Sequence, residues 1–167
     1  MTLPYTKAES DTAHREWKAM CGHHSIAAAS GRPLEAVRRS GIKLCGWMNP
    51  TMVSQCLSGL GVSAILHKLP TVKMNSDELL LEPYYHPRRV MRVQFHGPWM
   101  KGPPTVQYRY THYIACLEEA IMDPLLDTNV LLRMEDWILW ACSAYRAEID
   151  ECEGFSFTHA WNVQSLQ

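Results

Sequence analysis

The sequence predicts an α+β chain in which N-terminal helices pack against an antiparallel β-sheet. Three observations carry this reading. A run of small residues after Cys21 can pack closely as a helix, and Asn49-Pro50 opens a second helix with apolar residues at three- and four-residue steps. The middle of the chain then breaks into short extended pieces, followed by one broad apolar helical stripe that needs a sheet to cover it. No internal repeat or long linker interrupts the 167 residues, so residues 1–167 are expected to form a single domain.

Taken in order, residues 1–10 carry Pro4 and few periodic apolar positions, which predicts an arm or irregular edge; Asp11 to Met20 reads as a short helical lead-in. The helix after it places Cys21 in its first turn. Ser30-Gly31-Arg32-Pro33 is a stop and restart, because Gly tolerates an unusual turn and Pro suits a first helical position. Leu34, Val37 and Arg38 occupy a further turn or two. Asn49 caps the helix opened by Pro50, with Met52, Val53, Cys56, Leu57 and Leu60 on one face and Gly61 at its end. Val62 to Leu66 reads as a strand.

Residues 67–89, with Pro70, Pro83, Pro87 and an apolar patch at Leu79 to Leu81, are expected to be irregular connection, and Arg88-Arg89 a solvated basic turn. Val90 to Phe95 forms a strand ending at His96-Gly97-Pro98, and a polar turn runs through Lys101 to Pro104. Val106 to Leu117 and Ala120 to Met122, separated by Glu118-Glu119, make an antiparallel hairpin. Within Met134 to Asp150, a helix sets Trp137, Ile138, Ala141, Ala144, Tyr145 and Ile149 on one stripe. Gly154 permits a turn before Phe155 to Val163, an expected edge strand.

Sixteen basic against seventeen acidic side chains argue against a nucleic-acid or acidic-membrane binder. The sequence shows no charged leader before a long apolar segment and no apolar run long enough to cross a bilayer, so the expected setting is soluble and cytoplasmic, with no membrane partner. The six cysteines, at positions 21, 45, 56, 116, 142 and 152, lie mostly in apolar patterns where a reduced thiol is a small core residue. A reducing compartment follows. With no glycine-rich phosphate cradle and no dinucleotide fingerprint, no cofactor is expected, and Lys43 and Lys101 read as surface charges. Cys21, His23 and His24, joined by Cys45 or His112, suggest a metal, but adjacent imidazoles do not share a helical face and no compact pair of cysteine motifs closes a site. No metal is expected.

A thiol at a helix start faces unpaired amide donors that favour the thiolate; to act as a nucleophile it also needs a base, and the base needs an orienting acceptor. Of eight His, His112 begins the apolar segment Tyr113-Ile-Ala-Cys-Leu117, from which a strand can aim its ring across a cleft. Asp123 follows the second short segment and would return beside His112 if the two pair, although an Asp before Pro124 also suits a turn. His96, in Phe95-His96-Gly97-Pro98-Trp99, competes for the base, and Asp127 or Asn129 would replace Asp123 if the register differs. Gly22 either lets a substrate approach or relieves crowding, His23 and His24 read as ordinary helix residues, and Trp47 is expected to close the edge of the core. Thr158-His159-Ala-Trp161-Asn162 is read as a stabilising edge.

Cys21 at a helix start, His112 in Thr-His-Tyr-Ile-Ala and Asp123 in Ile-Met-Asp-Pro together resemble the papain-like cysteine peptidases, closest to the C39-like peptidase group. The resemblance spans about Asp11 through Asp123. It implies a papain-like fold with Cys21 as nucleophile, His112 as base and later acid, and Asp123 as orienter. It also implies a Gln a few residues before the nucleophile as oxyanion donor, and this chain has no Gln before Cys21; His14, Arg15, Lys18 or the Cys21 amide are the candidates left. The activity expected is thiol attack on a peptide, isopeptide or related amide of a peptide or protein substrate. A side-chain deamidase, and a papain-like binding module or host-directed effector without turnover, are the alternatives.

Overall fold

The structure, a computed structural model, describes residues 2–40, 46–70 and 87–164. Lys43, Cys45, Leu79 to Leu81 and Pro83 lie outside the described residues. The chain is a mixed α+β fold: helices α1 (Lys7–Trp17), α2 (Cys21–Ser30), α3 (Leu34–Arg39) and α4 (Pro50–Gly59) precede strands β1 (Ala64–Lys68) and β2 (Arg88–His96). Then come α5 (Pro104–Gln107), β3 (Thr111–Leu117), β4 (Ala120–Met122), β5 (Leu131–Arg133), α6 (Met134–Glu148) and β6 (Gly154–Val163). Among the described residues no helix is long and apolar enough to cross a membrane.

Helix α1 starts at Lys7, inside the stretch expected to be irregular. A capping box starts it: the Thr6 amide donates to Glu9 Oε2 at 2.7 Å and the Glu9 amide to Thr6 Oγ1 at 3.3 Å. Lys18, left-handed at φ 59°, ends it, with the Lys18 amide on the His14 carbonyl and the Ala19 amide on the Ala13 carbonyl. Three residues later α2 begins. From Gly22 to Ser30 every residue of α2 is buried, which its Gly, Ala and Ser side chains permit. A Cβ on Gly22 would stand 2.9 Å from Met48 Sδ, so that glycine serves packing rather than an open approach. Asn49 Oδ1 accepts the Met52 amide at 2.9 Å with Pro50 in the first turn, as the sequence predicts for α4.

Among the described residues six strands form one antiparallel sheet in the order β1-β6-β2-β3-β4-β5. It is covered on both faces. Tyr113, Ala115 and Leu117 of β3 join the core under α1 to α4, while Ile114 and Cys116 join the core under α6 with Trp137, Ile138 and Tyr145. This double covering explains three corrections. Strand β6 lies between β1 and β2 and is no edge: Phe155 and Phe157 fill one core, Trp161 and Val163 the other. Arg88 and Arg89 begin β2, and Arg89 is buried, so the pair is not a solvated turn. The Thr158 to Asn162 stretch is interior strand, His159 stacking on Trp161.

Other boundaries shift for local reasons. Val106 to Tyr110 is not extended: Pro104 opens the short α5, and a 3-10 turn, Tyr108–Tyr110, follows before β3. Trp47 is 63% exposed, while Met48 is buried in its place.

Two buried imidazoles in α2 make the fold sensitive to acid. His23 Nδ1 accepts the Met20 amide at 2.8 Å, and its ring meets Trp17 edge to face. Burial, helped by the neighbouring His24, depresses His23 from 6.5 to about 4. Since the unfolded chain takes the proton first, this stability is complete above the ordinary imidazole value and is lost as pH falls toward the folded one. The loss is on the order of 3 kcal/mol for His23. Denaturant unfolding of the wild type should therefore weaken between pH 6.5 and 4, and the decline should be smaller in His23→Asn even where that variant is less stable at neutral pH.

Candidate active site

His112, the second residue of β3, meets Asp123, the residue after β4, and Cys21, the first residue of α2, lines one cleft with His112. The β3–β4 hairpin pairs Ala115 with Met122, which carries Asp123 back beside His112. His112 Nε2 lies 2.6 Å from Asp123 Oδ1, both groups buried. The other carboxylate oxygen, Oδ2, accepts from Trp137 Nε1 at 2.8 Å and from the Tyr145 hydroxyl at 2.5 Å. The Leu125 amide completes the set on Oδ1 at 2.9 Å, so Asp123 both starts a turn and holds the imidazole.

Cys21 is half-buried and shares with His112 the lining of a cleft of about 700 Å³. Because Nε2 is committed to Asp123, Nδ1 is the ring nitrogen left for the sulfur. Burial alone would push the Cys21 thiol up; the His112 charge and hydrogen bond, together with the Tyr113 and Gly22 amides, overcome it and hold the thiol below its ordinary value. Burial likewise opposes charge on His112, but Asp123 and Cys21 prevail and raise it to about 10. Asp123, which burial would raise, is drawn below the usual carboxylate range by His112, Tyr145 and Trp137.

Two other cysteines behave differently. The five described cysteines are free thiols, but burial pushes Cys116 up to about 12 and raises Cys56, which lies 3.1 Å from Ser40 Oγ. A thiol gains nucleophilic character at neutral pH where a cation or a helix N-terminus favours its thiolate.

The other candidates are placed elsewhere. His96 Nε2 bonds Ser156 Oγ at 2.8 Å, and Asp127 accepts the Asn129 amide and faces Lys7, so none of His96, Asp127 and Asn129 replaces its rival. His24 Nδ1 contacts the Met20 carbonyl at 3.0 Å and its Nε2 the Ser10 hydroxyl at 2.8 Å; burial depresses its pKa. Among the described residues no group of three His, Cys, Asp or Glu could hold a metal ion. Of the three side chains offered for the missing Gln, His14 lines the cleft, whereas Arg15 reaches Thr12 and Lys18 forms the left-handed turn.

Sequence reasoning missed Trp137 and Tyr145 as supports of Asp123, assigning both to an apolar stripe. Their signal is chemical: two aromatic rings on one helical face, each with a polar hydrogen that burial obliges to find an acceptor.

Replacing Asp123 with Asn removes the negative charge from His112 and sets an amide NH2 against one of its three side-chain donors. Asp123→Asn should cost roughly 3–5 kcal/mol of folding stability, as expected for one partner lost from a buried ion pair. It should also move the pH profile of Cys21 alkylation by iodoacetamide upward, and an unmoved profile would show that the carboxylate does not govern the thiol. Comparison with protein-family models and with curated proteins returned no match to this chain.

Proposed function

We propose that this chain is a cysteine-dependent hydrolase of papain-like type, similar to the C39-like peptidases, acting on a peptide, isopeptide or related amide in a reducing compartment. One observation carries the reading: a thiol at a helix N-terminus shares an open cleft with an imidazole that a buried, four-donor carboxylate holds in place.

In this reading the Cys21 thiolate attacks the carbonyl carbon; the S–C bond forms and the carbonyl π pair moves onto oxygen. The oxyanion collapses, the C–N bond breaks, and the proton on His112 Nδ1 passes to the departing amine. A thioester remains. Water then attacks it, giving a proton to His112, and cleavage of the C–S bond frees the acid and restores thiolate and imidazolium. Asp123 keeps its charge throughout, fixing the ring and favouring its protonated form.

A second reading, a papain-like binding module without turnover, has one observation in its favour: among the described residues no Asn or Gln lines the cleft to receive an oxyanion. The two differ in covalent chemistry. With 4-nitrophenyl acetate as acyl donor, the hydrolase should release nitrophenolate and carry acetyl on Cys21, and Cys21→Ala should fall to the buffer rate with an unchanged unfolding midpoint. Turnover equal to wild type in Cys21→Ala would reject the assignment. Ammonia release from a glutamine-containing protein without chain cleavage would redirect it to a side-chain deamidase.

A further inference from the structure

The pairing of β6 with β2 shifts between Arg92 and Val93, and the shift leaves Thr158 without a partner on β2. A bulge re-aims side chains. This one sets Thr158 and His159 side by side, with His159 Nδ1 3.0 Å from Thr158 Oγ1, and Arg92 Nη1 donates to the same oxygen at 2.9 Å. His159 is paired with Arg92 of β2 on one side and with Lys68 of β1 on the other, so three basic residues stand in one row across three strands. Its ends are about 10 Å apart. Arg92 is only 4% exposed; its Nε has no hydrogen-bond partner, and the Tyr108 ring covers the guanidinium at 5.1 Å. Lys7, Arg39 and Arg133 each face a carboxylate, but among the described residues none pairs with Arg92, His159 or Lys68. A buried cation without an acid is costly, and the row lacks the anion that would offset it.

We propose that the row of Lys68, His159 and Arg92 is a binding site for a phosphate group, free or as a monoester. The inference goes beyond the hydrolase reading and does not depend on it. Arg92 and Lys68 supply two positive charges, which a phosphate dianion matches and a carboxylate, with one charge, does not. The dianion also has oxygens on several sides to meet three donors, where a carboxylate offers two in one plane. His159 is set to be the middle donor. Since Thr158 Oγ1 accepts from Arg92, its own hydrogen goes to His159 Nδ1 at 3.0 Å in preference to the Arg92 carbonyl at 3.5 Å. Nε2 then carries the ring hydrogen and is the donor left for a ligand. Burial, and after it the charges of Arg92 and Lys68, lower the pKa of His159, so the neutral ring already donates and a bound dianion would offset the two charges beside it. Lys68 is exposed and His159 half-buried, which makes the β1 side the way in.

The test follows the His159 ring signals by NMR while the full chain is titrated with inorganic phosphate or methyl phosphate, with sodium chloride at equal ionic strength as the reference. Either phosphate should shift those signals saturably, raise the unfolding midpoint and move the ring's titration to higher pH, because a bound anion favours the imidazolium. Lys68→Met alters an exposed side chain and leaves the strand pairing intact; it should weaken binding about tenfold, the loss of one charge-assisted hydrogen bond. Tighter binding of methyl phosphate would mark a monoester as the source and tighter binding of inorganic phosphate the free ion, and both support the site. A response no larger than that to chloride would overturn the proposal. Equal affinity in wild type and Lys68→Met would also overturn it, as an adventitious ion only. Neither result bears on Cys21, whose reactions are read separately.

Discussion

A carboxylate taken out of water costs several kcal/mol unless its lone pairs are filled, and Asp123 fills them from three separate parts of the chain. His112 comes from β3, Trp137 and Tyr145 from α6, and the Leu125 amide from the turn after β4. Removing any one leaves a buried charge short of a donor, so the carboxylate ties helix α6 to the hairpin as firmly as the apolar contacts around it. The same set fixes His112 in orientation and charge. Stability and chemistry therefore share one group here, and the aromatic cluster of Phe95, Trp137 and Tyr145 keeps water from competing for it.

On the other side of the pair, the sulfur is placed by small side chains. A helix of Gly, Ala and Ser can be surrounded completely, and α2 is, with β3 against it. Its first turn then emerges where the sheet ends. A bulkier helix would stand farther from β3 and carry Cys21 away from the Tyr113 amide and the His112 ring. A Cβ on Gly22 would likewise crowd Met48, which packs beside the start of α2. Close packing sets the geometry, and the geometry lets charge overcome burial at the thiol.

The parts legible in the sequence were those whose cause is local. Asn49-Pro50 announces its own cap, the Glu118-Glu119 turn announces the hairpin, and the hairpin register carries Asp123 to His112. Helix α1 was read as a short lead-in from Asp11 to Met20, and its start at Lys7 was missed because the Thr6-x-x-Glu9 capping box was not used beside the weak apolar periodicity after it. What could not be read was the burial of both sheet faces. Arg92 and Gln94 alternate with the apolar Met91, Val93 and Phe95 and Arg89 reads as a solvated turn, yet all three are buried; the Gln94 amide, for example, donates to the Gln107 and Tyr110 carbonyls. Strand β6 looks like an edge for the same reason: its place depends on pairings with β1 and β2, residues far away in the chain.

Three buried imidazoles show that burial alone does not decide protonation. His23 and His112 are both buried, yet one titrates near 4 and the other near 10. The difference is the partner: His23 meets a backbone amide and the edge of Trp17, His112 a carboxylate and a thiol. Charge on His23 or His24 would stand at the positive end of α2, where it is unfavourable, and would compete with His112 for the Cys21 sulfur. Burial in the first turn of α2 lowers the pKa of both those rings, whereas the carboxylate and the thiol beside His112 raise that of its own.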